Sequence, residues 1–225
     1  MKINYIIFAC CLLFTVTSYS QGLKNATNKE YKGVPFIVTT PDGYSKDQIY
    51  PTIIFLHGGD RSNTKHHPTK YAYKSGIDFP FIVIAPSCTS GCSWSRVDLE
   101  GMLQLSSKEF SIDPNRIYLT GYSMGGAGAW ANLKKIAPLL AAAAPLAPAG
   151  GSTSDLCSAK DLPIRVYHGT ADSGHENSRN MVKKLKECGS QSAELISLEG
   201  AGHGIWPGIF SDESFYSWLL GNSKG

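Results

Sequence analysis

The chain has 225 residues, with 21 basic side chains against 18 acidic ones and a net charge of +3. No basic run, aromatic-basic interleaving or zinc-knuckle spacing is present, which argues against a nucleic-acid binder. Lys2, the apolar residues 3–16 and the run Ser18-Tyr19-Ser20 read as a signal peptide over 1–20, cut ahead of Gln21. An apolar stretch of about 14 residues is short for a bilayer span. Export to the periplasm or beyond the cell, without stable membrane insertion, is therefore expected. Residues 21–225 suffice for one well-cored domain and are too few for two ordinary ones.

Short apolar runs then alternate with helix-like stretches. Residues 34–39 read as a first strand, closed by the turn Pro41-Asp42-Gly43. Residues 52–56 are dense and β-branched, as a strand covered on both faces should be, and 81–85 repeat the pattern before Pro86. A helix-like region over 95–108 precedes Asp113-Pro114-Asn115, read as a turn, and the strand 116–120. Strands follow at 139–145, 164–168 and 194–198, with helices at 176–188 and 212–220. This alternation predicts an α/β fold: a mostly parallel central sheet flanked by helices on both faces. No gap between strands holds a large cap.

Six cysteines are present, Cys10 and Cys11 within the leader. An even remainder in an exported chain favours disulfides. Cys88 and Cys92 lie four apart in a Ser/Thr/Gly loop that can bend to join them, and Cys157 with Cys188 would be the other pair. A zinc site at Cys88 and Cys92 is the alternative, without a second close pair of ligands to support it.

The strongest local signal is Gly121-Tyr122-Ser123-Met124-Gly125, directly after a strand and before a small-residue helix. A G-x-S-x-G in that setting is a nucleophile elbow, with the serine hydroxyl exposed at a tight turn. A serine hydroxyl needs a histidine to take its proton and a carboxylate to orient that histidine. Past the later strands come Asp172, in His168-Gly169-Thr170-Ala171-Asp172, and His203, in Gly200-Ala201-Gly202-His203-Gly204. Both fall where a parallel sheet delivers its active loops. Asp155, Asp161 and Glu176 are weaker acids for the role. His168 reads as a satisfied structural residue, His66 and His67 as solvent-exposed, and His175 as too near Asp172 in sequence. Backbone donors for an oxyanion are expected from Met124 and from Gly59 or Asp60 in His57-Gly58-Gly59-Asp60. His57 reads more readily as a brace for that loop than as chemistry. Trp206, Trp94 and His57 are candidates to line the substrate.

Together these stretches resemble the compact α/β-hydrolase esterases of the phospholipase/carboxylesterase and polyhydroxybutyrate-depolymerase-like type. The likeness is greatest to exported feruloyl and acetylxylan esterases. It rests on PTIIFLHGGD (51–60), IDPNRIYLTGYSMGGAGAW (112–130), VYHGTAD (166–172) and GAGHGIW (200–206). The resemblance implies Ser123 as nucleophile, Asp172 as acid, His203 as base and no metal or organic cofactor. It also implies release of hydroxycinnamoyl or short acyl groups from a small ester or an acylated plant polysaccharide. The loop after Asp172 departs from the family pattern, being short and lacking a Val-Pro pair. A serine peptidase of the same fold, a polyester depolymerase and a non-catalytic carbohydrate-binding protein are the rival readings.

Overall fold

The computed structural model describes residues 23–225, so the expected signal peptide and its cut site lie outside the described residues. Eight strands form one sheet: β1 (Ala26–Tyr31), β2 (Val34–Thr39), β3 (Tyr50–Leu56), β4 (Ile82–Pro86), β5 (Ile112–Tyr122), β6 (Ala142–Leu146), β7 (Ile164–Gly169) and β8 (Ala193–Leu198). Their order is β1-β2-β4-β3-β5-β6-β7-β8. β2 is antiparallel to both β1 and β4, and every pairing from β4 to β8 is parallel. The helices are α1 (Pro68–Lys74), α2 (Leu99–Ser107), α3 (Met124–Ile136), α4 (His175–Glu187), α5 (Trp206–Phe210) and α6 (Glu213–Leu220). Among the described residues no large cap domain interrupts them. Among the described residues no helix is long and apolar enough to cross a membrane.

Alternation along the strands divides the core in two. Ile54 and Leu56 of β3 face α2, α3 and α4, where Met102, Leu133 and Met181 join them. Ile53 and Phe55 face the other way, toward Phe210 of α5 and Phe215 of α6. Burial of β3 on both faces explains its unbroken apolar run. Two helices carry an aspartate cap: Asp98 accepts from Gly101 N–H at 2.9 Å, and Asp212 from Ser214 N–H at 2.8 Å.

Three elements had no clear apolar signal: β1, α1 and α5. β1 is a polar edge strand, tied to β2 by a two-residue turn in which Lys32 (φ 50) and Gly33 (φ 76) are both left-handed. Asp113-Pro114-Asn115, expected as a turn, falls within β5. There the Asp113 carboxylate accepts from Asn115 N–H at 2.9 Å and Arg116 Nε at 2.6 Å, and a register shift opposite residues 50–52 absorbs the local turn. The strand expected from residue 139 begins at Ala142, because Ala137–Leu139 form a 3₁₀ turn.

His67 is the clearest departure from the expected exposure. It is 0% exposed, and its ring meets the Phe55 ring edge-on at 5.8 Å. Burial, with the charge of Lys70 adding to it, pushes its pKa from 6.5 down to about 3. The unfolded chain therefore takes up a proton below pH 6.5 that the folded chain refuses. The stability tied to neutral His67 is complete above that pH and is lost as pH falls toward 3. Between pH 6.5 and 5 this amounts to about 2 kcal/mol. His67→Phe is expected to flatten the acid side of a Tm-against-pH curve measured from pH 4 to 8. A curve unchanged by the substitution would contradict this assignment.

Candidate active site

Ser123 joins β5 to α3 with φ 57 and ψ −115, a strained conformation for a residue with a side chain. Three backbone bonds hold it there. Its N–H donates to the Leu146 carbonyl, and its own carbonyl accepts from Ala127 and Ala149 N–H, each at 3.0 Å. The flanking glycines are steric necessities. A Cβ on Gly121 would lie 2.4 Å from the Gly125 carbonyl oxygen, and one on Gly125 would lie 1.9 Å from that of Leu56.

The loops after β7 and β8 bring the acid and the histidine to this turn. His203 Nε2 is 2.8 Å from Ser123 Oγ, and its Nδ1 is 2.5 Å from Asp172 Oδ2. A carboxylate only accepts, so Nδ1 carries the proton and Nε2 is left to accept from the serine hydroxyl. The two loops are laced through Gly169, whose missing Cβ would sit 2.1 Å from the Ala201 carbonyl. Ala171 N–H donates to that same carbonyl at 3.0 Å. Burial by itself would raise the Asp172 pKa. The Gly174 N–H and the His203 and His168 imidazoles outweigh it and hold the carboxyl below its ordinary value. The Asp172 side chain is 10% exposed and that of His203 43%, so the base faces an open cleft.

The loop from His57 to Asp60 passes beside the nucleophile. Gly58 approaches most closely: a Cβ there would lie 3.5 Å from Ser123 Cβ and 3.2 Å from the Tyr122 ring. A Cβ on Gly59 would meet nothing within 4 Å, and Gly59 and Asp60 are exposed. His57 is 0% exposed, with both nitrogens engaged. Nε2 accepts from Cys88 N–H at 2.8 Å, so Nδ1 carries the proton and donates to the Gly58 carbonyl at 2.7 Å. Burial lowers its pKa and favours this neutral form. His57 therefore braces the loop from beneath, rather than presenting a face to a ligand.

Trp94 is only 4% exposed, packed on the His57 ring at 4.9 Å and over Gly128, where a Cβ would strike its indole at 2.5 Å. Its edge lines a surface cavity of about 290 Å³ together with Met124 and Ala127. Trp206 is half-buried at the start of α5, and its Nε1 donates to Tyr71 Oη at 2.9 Å. Its ring lies 4.3 Å from that of His66 and 4.5 Å from that of Tyr122, and the Tyr122 ring lies 5.2 Å from His203. These rings form an aromatic wall beside the histidine.

Sequence reasoning overlooked part of that wall. Tyr122 is the variable second residue of the elbow motif. His66, expected in solvent, is 5% exposed, with Nδ1 3.4 Å from the Asp60 carboxylate. Burial pushes the Tyr122 pKa to about 12, with the charges of Asp172 and Asp60 adding to it, so the phenol stays protonated. The weaker candidates lie elsewhere. Asp155 pairs with Lys134 at 3.4 Å, Asp161 with Lys160 at 2.8 Å and Glu176 with Arg179 at 3.4 Å. His175 is buried, with Nε2 2.9 Å from Ser197 Oγ. Cys88 is joined to Cys92 and Cys157 to Cys188, which displaces the zinc alternative for the first pair. Among the described residues no cluster of His, Cys, Asp and Glu could hold a metal ion.

The sequence profile of the Dienelactone hydrolase family matches residues 96–207. A thermostable esterase of known structure superposes with a TM-score of 0.73 at 29% identity, over 88% of this chain and 62% of that one. The chain has the α/β-hydrolase fold. A feruloyl esterase module from Clostridium thermocellum, solved with sinapinate, has a TM-score of 0.69 at 16% identity, over 88% and 91% of the two chains. That likeness speaks for the fold alone. A bifunctional acetylxylan esterase/xylanase from Neocallimastix patriciarum is 26% identical over 158 residues, 63% of this chain and 23% of that protein. The chain thus spans less than two thirds of both the thermostable esterase and the bifunctional relative. The contact between His203 and Ser123 places a proton acceptor on the serine hydroxyl, the arrangement that activates a serine as a nucleophile.

The approach at Gly125 gives a direct test of the elbow. Gly125→Ala is expected to destabilise the α/β-hydrolase by at least about 2 kcal/mol, because the new methyl must displace the end of β3. Ser123 should lose its geometry with it. Thermal melts and turnover of p-nitrophenyl acetate check both effects, and a variant as stable and active as the parent would refute the steric reading.

Proposed function

We propose that this protein is an exported serine esterase that hydrolyses carboxylic esters through an acyl-enzyme on Ser123. The observation that carries the reading is the hydrogen-bonded series Ser123–His203–Asp172. In the proposed reaction His203 Nε2 takes the Ser123 proton as Oγ attacks the ester carbonyl carbon. The carbonyl oxygen becomes an oxyanion facing the Met124 N–H and that of Gly59 or Asp60. Collapse breaks the carbon–oxygen bond to the alcohol, which leaves with the proton from His203. Water then repeats the attack on the acyl-enzyme, giving its proton to His203 and releasing the acid and Ser123. Asp172 holds the imidazole in the tautomer that accepts from serine and stabilises the imidazolium formed in each half.

The acyl group we assign is hydroxycinnamoyl or a short chain, carried on plant polysaccharide. Two features favour a group projecting from a polymer: among the described residues no cap covers the cleft, and the exposed base stands beside the wall of Trp206, Tyr122 and His66. Flat rings there offer apolar area to an aromatic acid at little entropic cost. Feruloyl and acetylxylan activities named for relatives point the same way. The two disulfides fit an oxidising compartment outside the cytoplasm, periplasmic or extracellular.

Hydrolysis should be compared across methyl ferulate, p-nitrophenyl acetate, p-nitrophenyl butyrate and a peptide amide. Ser123→Ala is expected to lower ester turnover by about 10³-fold or more. Amide cleavage exceeding every ester would instead make the protein a peptidase, and turnover independent of Ser123 would remove the proposed nucleophile. Trp206→Ala is expected to raise KM for methyl ferulate about tenfold while changing that for p-nitrophenyl acetate little. Equal effects on both substrates would exclude Trp206 from aromatic recognition.

A further inference from the structure

Asp172 Oδ2 lies within hydrogen-bond distance of two imidazoles. One is His203, through Nδ1 at 2.5 Å; the other is His168, through Nε2 at 3.0 Å. Asp172 Oδ1 takes the Gly174 N–H at 3.0 Å. His168 belongs to β7 and is 0% exposed, and its remaining nitrogen, Nδ1, lies 2.7 Å from Ser178 Oγ on α4. Ser178 is likewise 0% exposed. The turn at Gly174 wraps so tightly on this ring that a Cβ there would lie 3.2 Å from His168 Cε1.

The proton positions follow from the partners. Asp172 as a carboxylate accepts only, so Nε2 of His168 carries the hydrogen. In the neutral ring Nδ1 is then an acceptor, and the Ser178 hydroxyl donates to it. Burial lowers the His168 pKa against the opposing pull of Asp172, which favours the neutral ring.

We infer that His168 is a positioning residue for the triad, the fourth member of a chain running Ser178–His168–Asp172–His203–Ser123. The inference rests on the triad reading proposed above. A carboxylate rotates easily about its terminal torsion, which has broad minima. Gly174 fixes one oxygen, and His168, itself locked by Ser178, fixes the other at the angle His203 needs. His168 also divides the charge of Oδ2 between two donors. Without it, the undivided charge favours the imidazolium form of its remaining partner. Loss of His168 therefore has two separable effects: poorer alignment, and a changed protonation profile. Simple loss of packing yields only the first.

The titratable groups facing the pair are His203 from the loop after β8, His175 from α4 and Tyr122 from β5. His175 gives Nε2 to Ser197, and Tyr122 stays protonated, so neither competes for the carboxylate.

The test measures kcat and KM for p-nitrophenyl acetate from pH 5 to 9 in His168→Asn, His168→Gln and Ser178→Ala, with thermal melts to verify folding. Gln carries an amide nitrogen where Nε2 lies and can still donate to Asp172; Asn is too short. His168→Asn is expected to lower kcat by about 10- to 100-fold, the range for a lost hydrogen bond to a charged group. KM should stay within about twofold. The acid limb of kcat/KM should move up by about half to one pH unit. His168→Gln should recover most of both changes, and Ser178→Ala should lower kcat by about three- to tenfold. A folded His168→Asn protein with parental kcat and acid limb overturns the inference. So does an equal loss in Asn and Gln variants with the limb unmoved. If His168→Asn does not fold, Ser178→Ala decides: parental kcat there overturns the inference. Ser123→Ala run alongside separates the layers. Turnover surviving in it sinks the triad reading, whereas its loss beside silent His168 variants sinks only the positioning role.

Discussion

At Gly125 the first turn of α3 lies against the carbonyl of Leu56, with no room for a methyl group between them. That contact joins the two loops on which the candidate site depends. Leu56 ends β3 and leads into the His57–Asp60 loop, and its register partner Gly121 is the penultimate residue of β5, two before Ser123. The strained turn at Ser123 costs about 1–3 kcal/mol, an amount tolerable only where neighbouring structure over-determines the conformation. Here three backbone bonds, two glycines and the buried face of α3 do so. Ser123 and the His57–Asp60 loop are therefore set by one packing contact, and a displacement of either is felt by both.

A similar economy governs the other side of the cleft. The loops after β7 and β8 meet through Gly169 and share the Ala201 carbonyl, so the acid and the histidine are placed by the same neighbour relation in the sheet. β7 and β8 are parallel and adjacent, and this brings residues 31 apart in sequence to 2.5 Å. Beneath the His57–Asp60 loop, the Cys88 N–H on His57 ties the loop to a backbone that the Cys88–Cys92 disulfide closes. Oxidation of that short loop and support of the surroundings of Ser123 are thus mechanically connected.

Much of this was legible in the chain because the signals are local. Dense apolar runs mark the doubly covered strands β3, β4 and β7, and the glycine spacing around Ser123 marks the elbow. A parallel sheet sends successive loops to one edge, so Asp172 and His203 could be read as its neighbours from order alone. What was not legible depends on tertiary contact. β1 is polar and pairs only because the Lys32-Gly33 turn folds it onto β2. His66 and His67 sit in a polar stretch, yet they are buried by Trp206 and Phe55, which come from distant elements. His168 was foreseen as a satisfied residue near the strand end, which its burial agrees with. Its partner, however, is the carboxylate that also serves His203, and no spacing rule reveals a shared oxygen.

The uncovered cleft has a consequence for the fate of an acyl group on Ser123. Among the described residues no cap folds over the cleft, so on the proposed reading an attached acyl chain stands at the boundary with bulk solvent, close to a histidine whose side chain is 43% exposed. Water then reaches the base by diffusion, whereas a second sugar hydroxyl must be held there by contacts the open rim supplies sparingly. On the proposed reading, the missing roof tilts the partition of the intermediate toward hydrolysis and away from transfer to another alcohol. On that same reading, an acyl group bound to Ser123 is handed to water in preference to a second hydroxyl.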